Sequence, residues 1–190
     1  PNVPPYYFYE LQGHVFSDLS PKDRISLSFY SGLDDFSFGD LGLTSDWGNN
    51  TISLSYRRLF SERTVGNFLL ATSQFFTNFG LGGEDGLNNE NLIDDKTFSA
   101  NLSYFQSEDL EWRYGLQVKQ LGIEYLSTFG DTVTFDIREN PVEGAGYAKL
   151  KWKTGKRMVI EPGMRYKFYS VYADEPYIDL RLGMKYLLTD

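Results

Sequence analysis

Polar and apolar residues alternate with a period of two along most of the chain, and the alternation recurs in nine segments. Tyr7, Tyr9, Leu11 and Val15 share one parity against Glu10, Gln12 and His14. Ile25, Leu27 and Phe29 oppose Arg24, Ser26 and Ser28, and Ile52, Leu54 and Tyr56 oppose Ser53, Ser55 and Arg57. Residues 65–76 alternate less cleanly. Phe98, Ala100, Leu102 and Tyr104 then face Ser99, Asn101 and Ser103. The sixth segment is the sharpest, with Leu110, Trp112, Tyr114, Leu116 and Val118 against Glu111, Arg113, Gln117 and Lys119. Three more follow: Ala148, Leu150 and Trp152; then Ile160, Met164, Tyr166 and Phe168; then Ile178, Leu180, Leu182, Met184 and Tyr186. A tilted strand crosses a bilayer in about 9–11 residues, and the segments have that length. Helical periodicity is nearly absent, so the chain is read as all-β.

The links between segments sort by length. Residues 17–23, 60–64, 106–109 and 154–156 are short links; residues 32–48, 78–95 and 125–143 are long ones, alternating with the short, and 169–177 is an intermediate exception. Membrane barrels have short turns at the periplasmic end and long loops outside, whereas a soluble meander has no reason to sort its loops. The expectation is an antiparallel up-and-down transmembrane β-barrel, entered from outside by the first segment. Nine crossings leave the two ends on opposite sides. Single-chain bacterial barrels use an even number, so the chain is expected to be one part of a larger barrel.

Composition sharpens this picture. Aromatic residues are 17% of 190, with 15 Phe and 14 Tyr, yet charged residues are 23%. Rings in that number on a polar average suit a lipid face and its two interfaces. No stretch reaches 18 apolar residues, so a membrane-spanning helix is excluded and a spanning reading requires strands. The net charge of −8 disfavours nucleic acid as a partner, and the absence of cysteine excludes disulfides and thiolate metal sites. The chain opens on Pro1-Asn2-Val3 without a recognisable leader, consistent with a processed or internal start.

Several strings, taken in order, resemble TonB-dependent receptors of the Bacteroidetes type, the carboxypeptidase-regulatory-like and SusC-like outer-membrane transporters. They are Tyr7-Phe8-Tyr9-Glu10-Leu11; residues 20–28 (SPKDRISLS) with Gly32 and Asp34-Asp35; Trp47-Gly48-Asn49 with Thr51; Leu59-Phe60-Ser61-Glu62; Glu161-Pro162-Gly163-Met164-Arg165-Tyr166; and Leu182-Gly183-Met184-Lys185-Tyr186. The resemblance implies a bacterial outer-membrane location and a middle portion of a barrel of about 22 strands around a plug. It also implies import of a nutrient such as a siderophore or glycan, driven by the TonB system through a plug domain not found in this chain. The implied partners are outer-membrane lipid, the transported ligand and a surface lipoprotein. Two rivals stay open: a complete small barrel of 8 to 10 strands with a structural or adhesive role, and a soluble lipocalin-like binding barrel.

Candidate chemistry is sparse. His14 is the single histidine and no nucleophile motif accompanies it, so it is read as a polar residue of the barrel lumen. Asp34-Asp35 and Asp94-Asp95 fall in expected loops and are read as solvated charges. Residues 82–90 (GGEDGLNNE) are rich in oxygen ligands for Ca²⁺ but lack EF-hand spacing, and Gly80-Leu81-Gly82-Gly83 lacks the Gly-Lys-Ser/Thr of a phosphate loop. No catalytic, cofactor-binding or metal-binding residue is assigned, no cofactor is expected, and the chain is not read as an enzyme. Trp47, Trp112, Trp152, Tyr6, Tyr7, Tyr9, Tyr166 and Tyr186 are expected near strand ends as interfacial girdles. Lys149, Lys151, Lys153, Arg165, Lys167, Arg181 and Lys185 are expected to line the inward face beside Glu161 and Asp179, pairing across strands or meeting the plug.

Overall fold

The computed structural model describes residues 5–39, 42–83, 85–172 and 177–188. Ten strands form one antiparallel sheet: β1 Tyr6–Ser20, β2 Asp23–Phe38, β3 Leu43–Ser61, β4 Thr64–Leu81, β5 Leu87–Phe105, β6 Leu110–Phe129, β7 Thr132–Glu139, β8 Val142–Thr154, β9 Met158–Tyr169 and β10 Tyr177–Tyr186. Each pairs with its sequence neighbour, except that β7 stands off the path and β6 pairs with β8. The nine segments legible in the sequence are the nine strands on the path. Among the described residues β1 and β10 do not pair with each other, so the sheet has two edges.

The expected long links correct to hairpins. Residues 32–48 hold the end of β2 and the start of β3, which pair up to Phe38 and Leu43; β4 and β5 pair up to Leu81 and Leu87. Within residues 125–143, β6 continues to Phe129 and turns through Gly130 (φ +53°) into β7. Beyond the apolar zone both faces meet water. Alternation then disappears although the backbone ladder continues, so strands there look like loops. The intermediate link 169–177 holds a short 3-10 turn at Ser170–Tyr172, and its residues 173–176 lie outside those described, as do Thr189 and Asp190.

At the opposite end the turns are tight. The amides of Leu59, Phe105, Lys153 and Leu187 donate to the turn carbonyls of Lys22, Arg63, Asp109 and Arg157 at 2.8–2.9 Å, so turn backbone is satisfied by the adjoining hairpin. Asp23, just past the first turn, accepts from the hydroxyls of Ser20 and Tyr56, each at 2.6 Å. Those bonds hold its carboxyl below the usual carboxylate range.

Side-chain exposure is inverted relative to a water-soluble sheet. Cross-strand partners share a face, so the register places Leu110, Trp112, Tyr114, Leu116 and Val118 beside Tyr104, Leu102, Ala100 and Phe98 on one side and Ala148 and Leu150 on the other. On β6 the apolar positions Tyr114, Leu116 and Val118 are the more open ones: Leu116 is 47% exposed while Arg113, Gln117 and Lys119 are half-buried. β9 repeats the order, with Met164, Tyr166 and Phe168 exposed and Glu161, Arg165 and Lys167 half-buried. Among the described residues no hydrophobic side chain is buried. Crowding of the polar side chains marks theirs as the concave face, and the convex face is a continuous apolar surface far beyond what water tolerates. The zone from Leu110 to Val118 covers about 20–25 Å of bilayer at strand rise and usual tilt. Above it the convex face turns polar, at Asn50, Gln74, Asp94, Lys96, Gln120 and Glu124.

Glycines opposite rings lock the register. Gly13 pairs with Phe29, Gly48 with Phe76, Gly144 with Phe168 and Gly115 with Tyr147, and in each case the ring lies where a β-carbon would stand. At Gly115 that carbon would sit 2.1 Å from Tyr147 Cε1 and 2.6 Å from Asn101 Oδ1. The ring covers glycine backbone and its hydroxyl donates to Asn101 at 2.7 Å.

Two outcomes are expected from unfolding titrations in lipid vesicles. Leu116→Arg, on the convex face, destabilises by about 2–4 kcal/mol, whereas Ser53→Arg, on the concave face between Ser28 and Ala71, is nearly neutral; equal costs for both would reverse the assignment of faces. Gly115→Val, which displaces Tyr147, costs about 1–3 kcal/mol, and Tyr147→Phe about 1 kcal/mol.

Candidate functional site

With the convex face apolar, functional chemistry is confined to the concave wall and the polar rims. The concave wall divides in two. Over β2 to β5 its middle is built of small neutral groups, among them Ser28, Ser53, Ser55, Asn67, Ser99 and Asn101, with the charges of Arg24, Asp34, Arg57 and Asp95 nearer the strand ends. Over β6 to β10 it is ionic and mostly cationic. The acids are Glu111, Glu143, Glu161 and Asp179; the cations include Arg113, Lys119, Lys149, Lys151, Arg165, Lys167 and Arg181. A basic wall in a chain of net charge −8 means that the excess acid lies elsewhere.

The pairs run diagonally or along strands. Lys149 Nζ is 2.8 Å from Glu161 Oε2, and Arg113 Nε is 2.6 Å from Glu111 Oε1. Asp179 Oδ2 takes both Lys167 at 3.5 Å and Arg181 at 3.4 Å, and Lys119 reaches Asp95 of β5 at 2.7 Å. The basic group read from the sequence is therefore gathered on one wall, beside its two acids. Arg113 and Lys119 of β6 extend it, carried by the same alternation. Partly exposed pairs contribute about 0–1 kcal/mol each, so their main effect is to fix side-chain direction. Arg165 is different: Nη2 donates to Gln117 Oε1 at 3.4 Å, and its buried Nε has no partner in the described structure.

The remaining sequence candidates scatter. His14 is on the concave wall, its Nδ1 2.8 Å from Ser28 Oγ, with no acid or nucleophile pair around it. Asp34-Asp35 and Asp94-Asp95 lie in β2 and β5, not in loops, and adjacent strand residues point to opposite faces. Asp34 accepts from Tyr6 on the concave side while Asp35 pairs with Asp46 on the convex side. Asp95 binds Lys119 inward, and Asp94 accepts from Gln74 at 3.0 Å outward. Neither pair can share a substrate atom. In the acidic stretch Glu84 lies outside the described residues, Gly82 and Gly83 take positive φ in the turn, and Asn88, Asn89 and Glu90 are in β5. Among the described residues no three His, Cys, Asp or Glu side chains group as a metal site.

The aromatic candidates separate by face. Tyr7, Tyr9, Trp112, Trp152, Tyr166 and Tyr186 are convex, and Trp112 stacks on Tyr114 at 6.2 Å with planes 4° apart. Tyr6 and Trp47 are concave, level with Asp34, and so lie off the lipid surface where a girdle ring would sit. At the inner rim near the short turns, Arg24 forks onto Asp18 at 2.6 and 2.9 Å and covers the ring of Phe16 at 4.9 Å. Such a wall, charged inside and apolar outside, can line an aqueous passage.

No family model and no curated protein matches the sequence. Solved structures do match. The alcaligin outer-membrane receptor FauA of Bordetella pertussis superposes with a TM-score of 0.68 at 13% identity, over 97% of this chain and 34% of that one. The copper transporter OprC gives 0.66 at 10% identity, over 95% and 33%. The translocator domain of the autotransporter NalP of Neisseria meningitidis gives 0.52 at 10%, over 94% and 67%. This chain thus spans about a third of the length of the receptors it matches. At these identities the likeness is one of fold, and the fold is that of the wall of an outer-membrane β-barrel.

Proposed function

We propose that the chain forms a middle portion of the barrel of a TonB-dependent receptor of the Bacteroidetes, SusC-like type, importing a nutrient across the outer membrane. The observation that carries this reading is the inverted sheet with two edges: an apolar convex face that needs lipid, a charged concave face that needs an aqueous or protein-filled lumen, and unpaired edges on β1 and β10. Further strands would satisfy both edges. The fold likeness to receptors for alcaligin and ferric citrate, of which this chain covers 34% in each case, supports a wall of that kind. The receptor-like strings at residues 20–28, 59–62, 161–166 and 182–186 fall on membrane strands and short turns, where a shared barrel frame would retain them, while Asp34-Asp35 and Trp47-Gly48-Asn49 lie in the tall hairpin of β2 and β3. Energy would arrive from the TonB system through a plug inside the lumen, and a surface lipoprotein would meet the tall hairpins. The cargo class, siderophore, glycan or similar, is set by loops and plug.

One observation favours a second reading. The NalP translocator domain is matched over 67% of its length, so a small self-contained barrel of similar frame is the competitor. The intact mass of the native protein, extracted from outer membranes and captured with an antibody to residues 78–95, separates them. A receptor gives a mass several times the 21.8 kDa of this chain, with plug peptides in its digest. A mass near 21.8 kDa excludes import by this mechanism and leaves the small barrel.

A further inference from the structure

Cross-strand register on the concave wall produces an unusual row. Arg113 of β6 stands directly opposite Lys149 of β8, Lys149 opposite Gly163 of β9, and Gly163 opposite Arg181 of β10. Like charges placed directly opposite each other destabilise a sheet, and here a third cation completes the row with only a glycine between. One row higher stands Arg165, with its buried, unpartnered Nε. Gly163 and Gly183 leave a recess of about 420 Å³, rimmed by Tyr147, Lys149, Glu161, Arg165 and Arg181. Around it Arg113, Lys149, Lys151, Arg165 and Arg181 face Glu111, Glu161 and Asp179, which leaves two positive charges without acids.

We infer that this recess is a binding site for a small dianion bearing phosphate or paired carboxylates. The side-chain-free floor at Gly163 lets an oxyanion approach the wall closely. Guanidinium groups on two sides suit bidentate contact with its oxygens, the strongest class of hydrogen bond available here. A bound dianion also brings negative charge to Arg165 and Arg181, which both stand on the rim of the recess. Lys119, which is held by Asp95 on the far side of β6, takes no part. The site rests on the reading that the concave face encloses a lumen. It deepens the proposed function by making dianionic solutes the class drawn along this wall.

The test is equilibrium dialysis of the full-length protein in detergent, with inorganic phosphate at pH 8 and succinate as probes. Saturable binding of one dianion or both is expected, weakened at least tenfold in Arg165→Gln and in Arg181→Gln and unchanged in Lys119→Gln. Gly163→Val is the decisive variant. A β-carbon there meets Ala148 O at 3.4 Å and Lys149 Cβ at 3.6 Å, ordinary contacts, so the sheet forms while the valine methyls fill the floor and abolish binding. Absence of binding by both probes overturns the inference, as it would if an acidic segment of the protein already occupied the recess. Binding that persists in Gly163→Val overturns it too. Dianion binding by a protein of small mass would leave the site standing and remove the import reading; a large mass without binding would do the reverse.

Discussion

In a hydrocarbon medium every backbone amide and carbonyl must find its partner in the protein, and an antiparallel ladder supplies those partners strand by strand. The rest of this molecule follows from that requirement. Strands with period-two sequences place every second side chain toward lipid, so the apolar residues are the exposed ones and no hydrophobic core is needed to hold the fold among the described residues. Cohesion comes from the ladder and from contacts within each face: ring on glycine, Trp112 on Tyr114, and the ion pairs of the inner wall.

The inner wall inherits its character from the same geometry. On a concave surface, side chains converge, so cations that would be independent on a flat surface become neighbours. Lys149 finds Glu161 on the adjoining strand, yet it also lies beside Arg113. The middle of the wall is hydroxyl and amide over β2 to β5 and mostly cationic over β6 to β10, so the concave face has an electrical direction across its width.

Much of this was legible in the residues. Strand existence, parity and the placement of the short turns came directly from alternation, because the bilayer zone is where one face is apolar and the other polar. The tall hairpins were not legible: residues such as Asn50, Gln74 and Asp94 are polar on the outward side as well, and a strand wet on both faces carries no periodic signal. β7 does alternate, with Val133, Phe135 and Ile137 against Thr132, Thr134, Asp136 and Arg138, but it is short and falls inside the expected link 125–143. The cationic group was visible as a parity pattern in β8 to β10, but the row through Gly163 depends on register, which single segments do not reveal. Tyr6 and Trp47 were assigned by proximity to strand ends when parity would have turned them inward.

The polar upper part of the wall is paired strand rather than free loop, and this has a bearing on what reaches the cell from outside. A protease cuts a segment that can lie extended in its cleft and offer unpaired amides along several residues. In β2 to β5 those amides are committed to a neighbouring strand up to Phe38, Leu43, Leu81 and Leu87. Even at the hairpin tips the amides of Gly42, Gly82 and Gly86 donate to the carbonyls of Gly39, Gly42 and Gly83. The collar therefore gives reach above the lipid with very little chain that a digestive enzyme can grip.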